Sequence, residues 1–312
     1  MPVVSVVIPS FRGGAFLRDA IASVQSQTFQ DWELIVVLDG CEDDLSEIER
    51  NDDRVRVFRQ RNRGECVSRN VGIGHARTGL IALLDDDDRM LPNRLQTQVD
   101  VMNDESVGVC HTQYRVIDEH GEIIGEGESK ESQYRDFLRA DGHILISTAM
   151  IRRELIQDVG GFSPLFLLSG DLDLLYRVAR ESSFFFLPEV LTEYRRHGSN
   201  LSLPVSGGDQ LKLILRQHLF FAEARGEVDN VRAIRHGLPR VPAGRAARAI
   251  RYARDARARK NYVGMFGALG LSLVLAPRVT LYLSLKQARS ELPTVRSLPS
   301  VVRTRVKAGR ER

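Results

Sequence analysis

Three aliphatic runs near the start of the chain, VVSVVIPS (3–10), WELIVVLDG (32–40) and GLIALLDDDD (79–88), do most to limit what it can fold into. Each is short, rich in β-branched residues, and stopped by a turn-former or an acid, which predicts strands buried on both faces. Between the first two runs, Phe16 to Gln27 carries apolar residues at 17, 20, 21 and 24, a helical period. Arg54 to Phe58 reads as a third short strand, Val67 to His75 as a helix, and 79–88 as the fourth strand. Strand–helix–strand units at this spacing predict an α/β domain with a largely parallel sheet. In such open sheets ligands bind beyond the carboxyl ends of the strands. Asp39 and Asp85 to Asp88 both fall there, so two acidic strand ends are expected to converge on one crevice.

Four consecutive aspartates after a core strand pose an electrostatic problem. Two carboxylates about 4 Å apart repel each other increasingly as water is excluded, so the cluster needs a cation or heavy solvation. On an extended segment the i, i+2 spacing points Asp85 and Asp87 to one face, and Asp86 and Asp88 to the other. Oxygen-only ligation of this kind suits Mg²⁺ or Mn²⁺, completed by substrate phosphates. A solvated turn capping the helix that starts near Pro92 is the plainer alternative.

Beyond residue 95 the alternation weakens. Leu95 to Met102 continues as helix, Gly108 to Ile117 reads as a strand, 118–135 as a polar loop, 159–163 as a Gly-rich turn and Asp171 to Glu181 as a helix. SLPVSGGDQ (202–210) is the best boundary candidate, and everything after it looks helical and Arg-rich. The expected division is therefore 1–205, split near residue 100, followed by an extension over 206–312.

Several further features bound the function. Net charge is only +3, yet eight basic residues against one acid lie between Arg240 and Lys260. The ladder Arg245, Arg248, Arg251, Arg254, Arg257 drifts round one helix face. It is either solvated or docked on an anionic membrane, where each cation contributes about 1 kcal/mol. The uncharged stretch 261–277 has 17 residues with three Gly and a terminal Pro, short of the roughly 20 a spanning helix requires. Peripheral membrane contact through 245–285 is the functional alternative. The N-terminus has no positive region before Pro9 and reads as a strand rather than a signal peptide. Cys41, Cys66 and Cys110 show no metal spacing and are expected as free thiols. A cytoplasmic location follows, extending to the inner face of the membrane if the ladder docks there. His111 and His143 read as core-edge histidines.

The ordered motifs carry a family resemblance. VSVVIPSFRGGAFLRDAIASVQSQTFQDWELIVVLDG, NRGECVSRNVGIGHARTGLIALLDDDD and VGGFSPLFLLSGDLDLLYRVARESSFFFLPEVLTEYRRHGSNLS resemble glycosyltransferase family 2, over roughly residues 3–202. The resemblance implies a GT-A fold, a mixed and mostly parallel sheet flanked by helices, here with a helical C-terminal extension. It implies an inverting, metal-dependent hexosyltransferase that uses a nucleotide-diphosphate sugar, most readily a UDP-sugar. The acceptor would be a saccharide or lipid-linked hydroxyl in cell-surface polysaccharide or glycoconjugate synthesis, and no nucleic acid partner is implied.

Residue by residue, Pro9, Ser10 and Phe11 match the end of the first strand, where the backbone meets the nucleotide. Asp39 matches the carboxylate that binds the base, and Arg69 and Asn70 match an element near the donor. Asp85 and Asp87 match the DxD pair, Asp86 lying between them on the donor side. Asp87, Asp85 and His197 form the implied ligand set for Mn²⁺ or Mg²⁺, and Arg195 matches a segment folding over the diphosphate. Asp171 matches the general base, with Asp173 as its rival. Two departures stand out: Leu38 precedes Asp39 where the family often has an acid, and Gly170 stands where the family has a Glu. A nucleotidyltransferase and a catalytically inactive carbohydrate-binding homologue are the competing functions. IPSFRGGAF offers the first a Gly-rich loop with Arg12, and Gly170 favours the second.

Overall fold

The computed structural model describes residues 3–142, 144–166, 169–198, 200 and 208–241. The chain begins β1 (Val4–Ser10), α1 (Ala15–Gln25), β2 (Trp32–Asp39), α2 (Ser46–Asn51), β3 (Val55–Gln60), α3 (Glu65–His75) and β4 (Leu80–Leu83). It continues through β5 (Arg89–Met90), α4 (Arg94–Met102), β6 (Val107–Ile117), β7 (Ile123–Glu126), α5 (Tyr134–Leu138) and β8 (Met150–Arg152). Then come α6 (Arg153–Asp158), α7 (Gly170–Glu181), β9 (Ser183–Arg195), α8 (Gly208–Ala224) and α9 (Val228–Gly237).

One mixed sheet runs in the order β3-β2-β1-β4-β8-β6-β9-β5, with β7 on β6. The first four strands are parallel, β8 is antiparallel to both β4 and β6, and β6 and β9 pair in parallel. Strand periodicity divides the aliphatic runs between two cores. Val7, Ile35, Val37, Ile81 and Leu83 face a core shared with α3 and α7. Val4, Val6, Ile8, Leu34, Val36 and Leu38 face one shared with α1 and α4. Both faces are covered, which is why these strands have no polar side. Gly72 on α3 lets that helix close on β1; a Cβ there would sit 2.4 Å from Val7 Cγ1.

Three expectations are corrected. The two acidic strand ends, expected to converge, are held apart, because β1 lies between β2 and β4. The fourth strand ends at Leu83 rather than at residue 88, and Asp85–Asp88 close a turn through Asp88 N–H to Asp85 O, 3.2 Å. The i, i+2 facing argument therefore does not apply to these four. The expected boundary at 205 also moves. Met1–Val241 forms one compact unit, because Ile214, Leu215, Ala222, Ala233 and Ile234 of α8 and α9 enter the α3/α7 core. Within 118–135 the chain adds β7 and the start of α5 to the loop expected there.

Pro242–Arg312 is a second unit. It lies outside the described residues, and so do the arginine ladder, the stretch 245–285 and His143. Among the described residues no helix is long and apolar enough to cross a membrane. The three cysteines are free thiols.

Candidate active site

The carboxyl ends of β1 and β4 lie side by side, and the four aspartates leave β4 in four directions because the chain turns there. Asp85 accepts Arg69 Nη2 on Oδ1 at 2.6 Å, and its N–H donates to Ser147 Oγ at 3.1 Å. Asp86 Oδ2 accepts the Ser10 hydroxyl from β1. Asp87 Oδ2 accepts Asn200 Nδ2 and meets His197 Nε2, each at 3.0 Å. Asp88 is fully buried, and its Oδ1 accepts Arg195 N–H at 2.9 Å.

The electrostatics of this turn are unbalanced. Burial, then the charges of Asp87 and Asp85, lift the Asp86 carboxyl to about 7. Burial and Asp85 lift Asp87, and burial lifts Asp88. Burial also lifts Asp171, which Arg69 opposes. Asp171 begins α7, accepts Leu172 N–H on Oδ1 at 2.8 Å, and lies in electrostatic range of both Arg69 and Asp85. Its rival Asp173 is 3% exposed and paired with Arg177 on the same helix, Nε to Oδ2 at 3.0 Å. The geometry thus separates the two.

The structure brings Ser10, Arg69, Asp85, Asp86, Asp87, His197 and Asp171 to one region, and gives other sequence candidates structural tasks. Asp39 is 3% exposed; Oδ1 accepts Gln60 Nε2 and Arg63 N–H, and Oδ2 accepts Gly64 N–H. Both its oxygens thus hold the β3–α3 loop. Asn70 exchanges two 2.8 Å hydrogen bonds with the Phe162 backbone.

Arg195, expected over a diphosphate, is 1% exposed. It donates Nε to Asp87 O, Nη1 to Glu119 O and Nη2 to Asp19 Oδ2, and lies 4.6 Å over the Phe16 ring. It shapes the acidic turn from behind. Pro9 closes β1 within the sheet, and Phe11 is half-exposed beside it. His197 packs 4.9 Å from the Phe16 ring, and desolvation with Arg12 and Arg195 nearby lowers its pKa, favouring the neutral imidazole.

Three residues of the site were not singled out from the sequence: Glu65, Ser147 and Asn200. Glu65 forms an ion pair with Arg69 one helical turn on, and the i, i+4 acid–base spacing on a predicted helix was the available signal. Ser147 and Asn200 act on a turn distant in sequence and gave none. Among the described residues, no three His, Cys, Asp or Glu side chains are already arranged around a single metal position.

Comparison with known proteins now bears on this geometry. The model of the family described as Glycosyl transferase family 2 matches residues 5–160, half the chain and every strand end just described up to β8. The chain belongs to glycosyl transferase family 2. An uncharacterised glycosyltransferase of Rickettsia felis is 36% identical over 124 residues, covering 39% of this chain and 21% of that protein. This chain thus spans about a fifth of that relative's length. A putative teichuronic acid biosynthesis glycosyltransferase of Bacillus subtilis, TuaG, is 28% identical over 208 residues, 64% of this chain and 82% of its own. Among solved structures, S. aureus TarS 1–349 in complex with UDP-GlcNAc superposes with a TM-score of 0.58 at 16% identity, covering 87% of this chain and 91% of that one. That likeness establishes the GT-A fold expected from the sequence.

Proposed function

We propose that the chain is an inverting, metal-dependent glycosyltransferase that moves a sugar from a nucleotide-diphosphate donor, most readily a UDP-sugar, to an acceptor hydroxyl. The observation that carries this reading is the meeting of a crowded anionic turn (Asp85–Asp87) with Arg69 and a separate carboxylate, Asp171, at the start of α7. Direct displacement at an anomeric carbon needs a base on one side and a stabilised leaving group on the other. Asp171 supplies the base. Its raised pKa makes its carboxylate a stronger proton acceptor than an exposed aspartate. The acceptor hydroxyl gives its proton to that carboxylate, its oxygen bonds to the anomeric carbon, and the diphosphate leaves with the electron pair of the broken C–O bond. Ser10, Arg69 and Asp86 line the donor side, where Arg69 keeps the Asp85 carboxylate in place.

A hard divalent cation fits the residues present. Asp85 and Asp87 would hold it through carboxylate oxygens, which suit Mn²⁺ or Mg²⁺, with His197 as a further ligand through its neutral imidazole. Burial first, and then neighbouring carboxylate charge, raises Asp86 and Asp87, and such an ion would offset both. Bound there, it would supply Lewis-acid stabilisation to the departing diphosphate.

The UDP-sugar preference is supported by TarS, which binds UDP and UDP-GlcNAc. The name of the B. subtilis relative supports a role in cell-surface polysaccharide synthesis with a saccharide or lipid-linked acceptor. A nucleotidyltransferase loop would turn its backbone N–H groups toward phosphate. Here Gly13 N–H donates to Ser10 Oγ and Gly14 N–H to Asp43 Oδ2. An inactive binding homologue is disfavoured by the retained Asp171. Peripheral attachment through 245–285 completes the proposal; deleting 242–312 should move the protein from the membrane pellet to the supernatant.

The central test is a thermal-shift screen of UDP-, GDP- and dTDP-sugars with and without Mn²⁺ or Mg²⁺. UDP-sugars should raise Tm only when the cation is present. No shift with any donor would remove the assignment.

A further inference from the structure

The N-terminal turns of α3 and α7 touch at an unusually close point. Gly170 is buried, and a Cβ built on it would lie 2.2 Å from Cys66 Sγ, while the next contacts, Ser163 O and Cys66 Cβ, are 3.8 and 3.9 Å away. Only glycine at 170 lets Cys66 seat there, with its thiol toward Phe166 O at 3.5 Å. The residues flanking this contact are both acids: Glu65 precedes Cys66 and Asp171 follows Gly170. Each stands in the first turn of its helix, where backbone N–H groups favour a negative charge.

Between them lies Arg69, 4% exposed, with Nη2 shared by Glu65 Oε1 and Asp85 Oδ1. The buried Arg69 Nε has no hydrogen-bond partner among the described residues. Asp85 and Asp171 both bear on Glu65 electrostatically. The Glu65 side chain remains about a third exposed (35%). One cation thus serves a donor-side acid and a solvent-accessible acid beside the proposed base.

Resting on the glycosyltransferase reading, we propose that Glu65 is an acceptor-binding carboxylate: it accepts a hydrogen bond from a hydroxyl neighbouring the one that Asp171 deprotonates. The ligand class is a neutral polyhydroxylated acceptor with two hydroxyls close enough to bridge the acids, as in a pyranoside. Arg69 holds Glu65 in position, and Gly170 sets the separation of the two helices. Since Arg69 keeps Asp85 as a partner, loss of Glu65 does not strand a buried cation.

The test uses the full chain with Mn²⁺. UDP serves as the donor-site probe by calorimetry, and a panel of p-nitrophenyl glycosides serves as acceptors for the best UDP-sugar. For the glycoside turned over fastest, Glu65→Gln and Glu65→Ala should each raise the acceptor KM about tenfold, the loss of one charge-assisted hydrogen bond. Their kcat should stay within about threefold and their UDP affinity within about twofold of the wild type, and Glu65→Asp should recover part of the loss. Gly170→Ala should raise the same KM by pushing the helices apart, and adding Cys66→Ala should restore it. An unchanged acceptor KM in the Glu65 variants overturns the assignment, and so does a loss of UDP affinity equal to the rise in KM. Wild-type protein that binds UDP but glycosylates no glycoside overturns the ligand class. Wild-type protein that binds no UDP refutes instead the glycosyltransferase reading beneath it.

Discussion

Asp39 at the end of β2 and Asp87 beyond the end of β4 are buried or half-buried acids at the same end of one sheet, with β1 between them. Two N–H groups of the β3–α3 loop, Arg63 and Gly64, and the Gln60 side-chain amide at the end of β3 meet Asp39. Asp87 is met by an asparagine and a histidine on one oxygen, and burial together with the charge of Asp85 raises it. The first arrangement solves a folding problem and the second leaves a charge unresolved. Two acids at the same end of one sheet thus differ in how many donors the fold supplies to them.

Four substitutions can break or sharpen that contrast. Asp171→Asn should lower sugar transfer about 10³-fold, the scale of a lost general base, while UDP affinity holds. A wild-type rate would take Asp171 out of the chemistry. Asp87→Ala should lower transfer about 100-fold, from weaker stabilisation of the leaving group, with Tm unchanged or raised because it deletes an opposed charge. Asp39→Ala should do the reverse. Urea unfolding is expected to show a loss of about 3 kcal/mol, since three donors lose their acceptor; a loss below about 0.5 kcal/mol would dissolve the contrast.

The smallest effect concerns His111, which is fully buried, lies 5.0 Å from the tilted Phe186 ring and has no hydrogen-bond partner for either ring nitrogen among the described residues. Burial lowers its pKa from 6.5 to about 4. The folded state resists protonation, so its stability is intact above pH 6.5 and declines as pH falls toward 4. His111→Phe should blunt that decline by about 2 kcal/mol at pH 4.5, and an unaltered acid profile would show that another group governs it.

The sequence made the first half of the fold plain, because β1, β2 and β4 are buried on both faces and announce themselves as unbroken aliphatic runs. Periodicity carries no pairing information across long separations, so the β6–β9 ladder, β8 and the place of α8 and α9 in the core stayed hidden. Within the site, Asp85, Asp86, Asp87 and Asp171 stood out by type and position. Their orientations did not, because a strand rule was applied to what is a turn. Asp39, Asn70 and Arg195 look like ligand contacts in sequence; only coordinates reveal which backbone groups already occupy them. His197 was identified through its motif, whereas Ser147 and Asn200 needed the tertiary structure to bring them to the turn.

The hydrogen bond from Arg195 N–H to Asp88 spans 107 positions of chain, and it bears on the order of events during synthesis. A nascent polypeptide that has emerged only as far as Asp88 carries its four aspartates without the contact that holds the last of them. Closing so long a loop is entropically late, so the β1–β4 half can condense before β9 docks. A translation product cut short before residue 195 would accordingly be folded in part, with Asp88 lacking this partner.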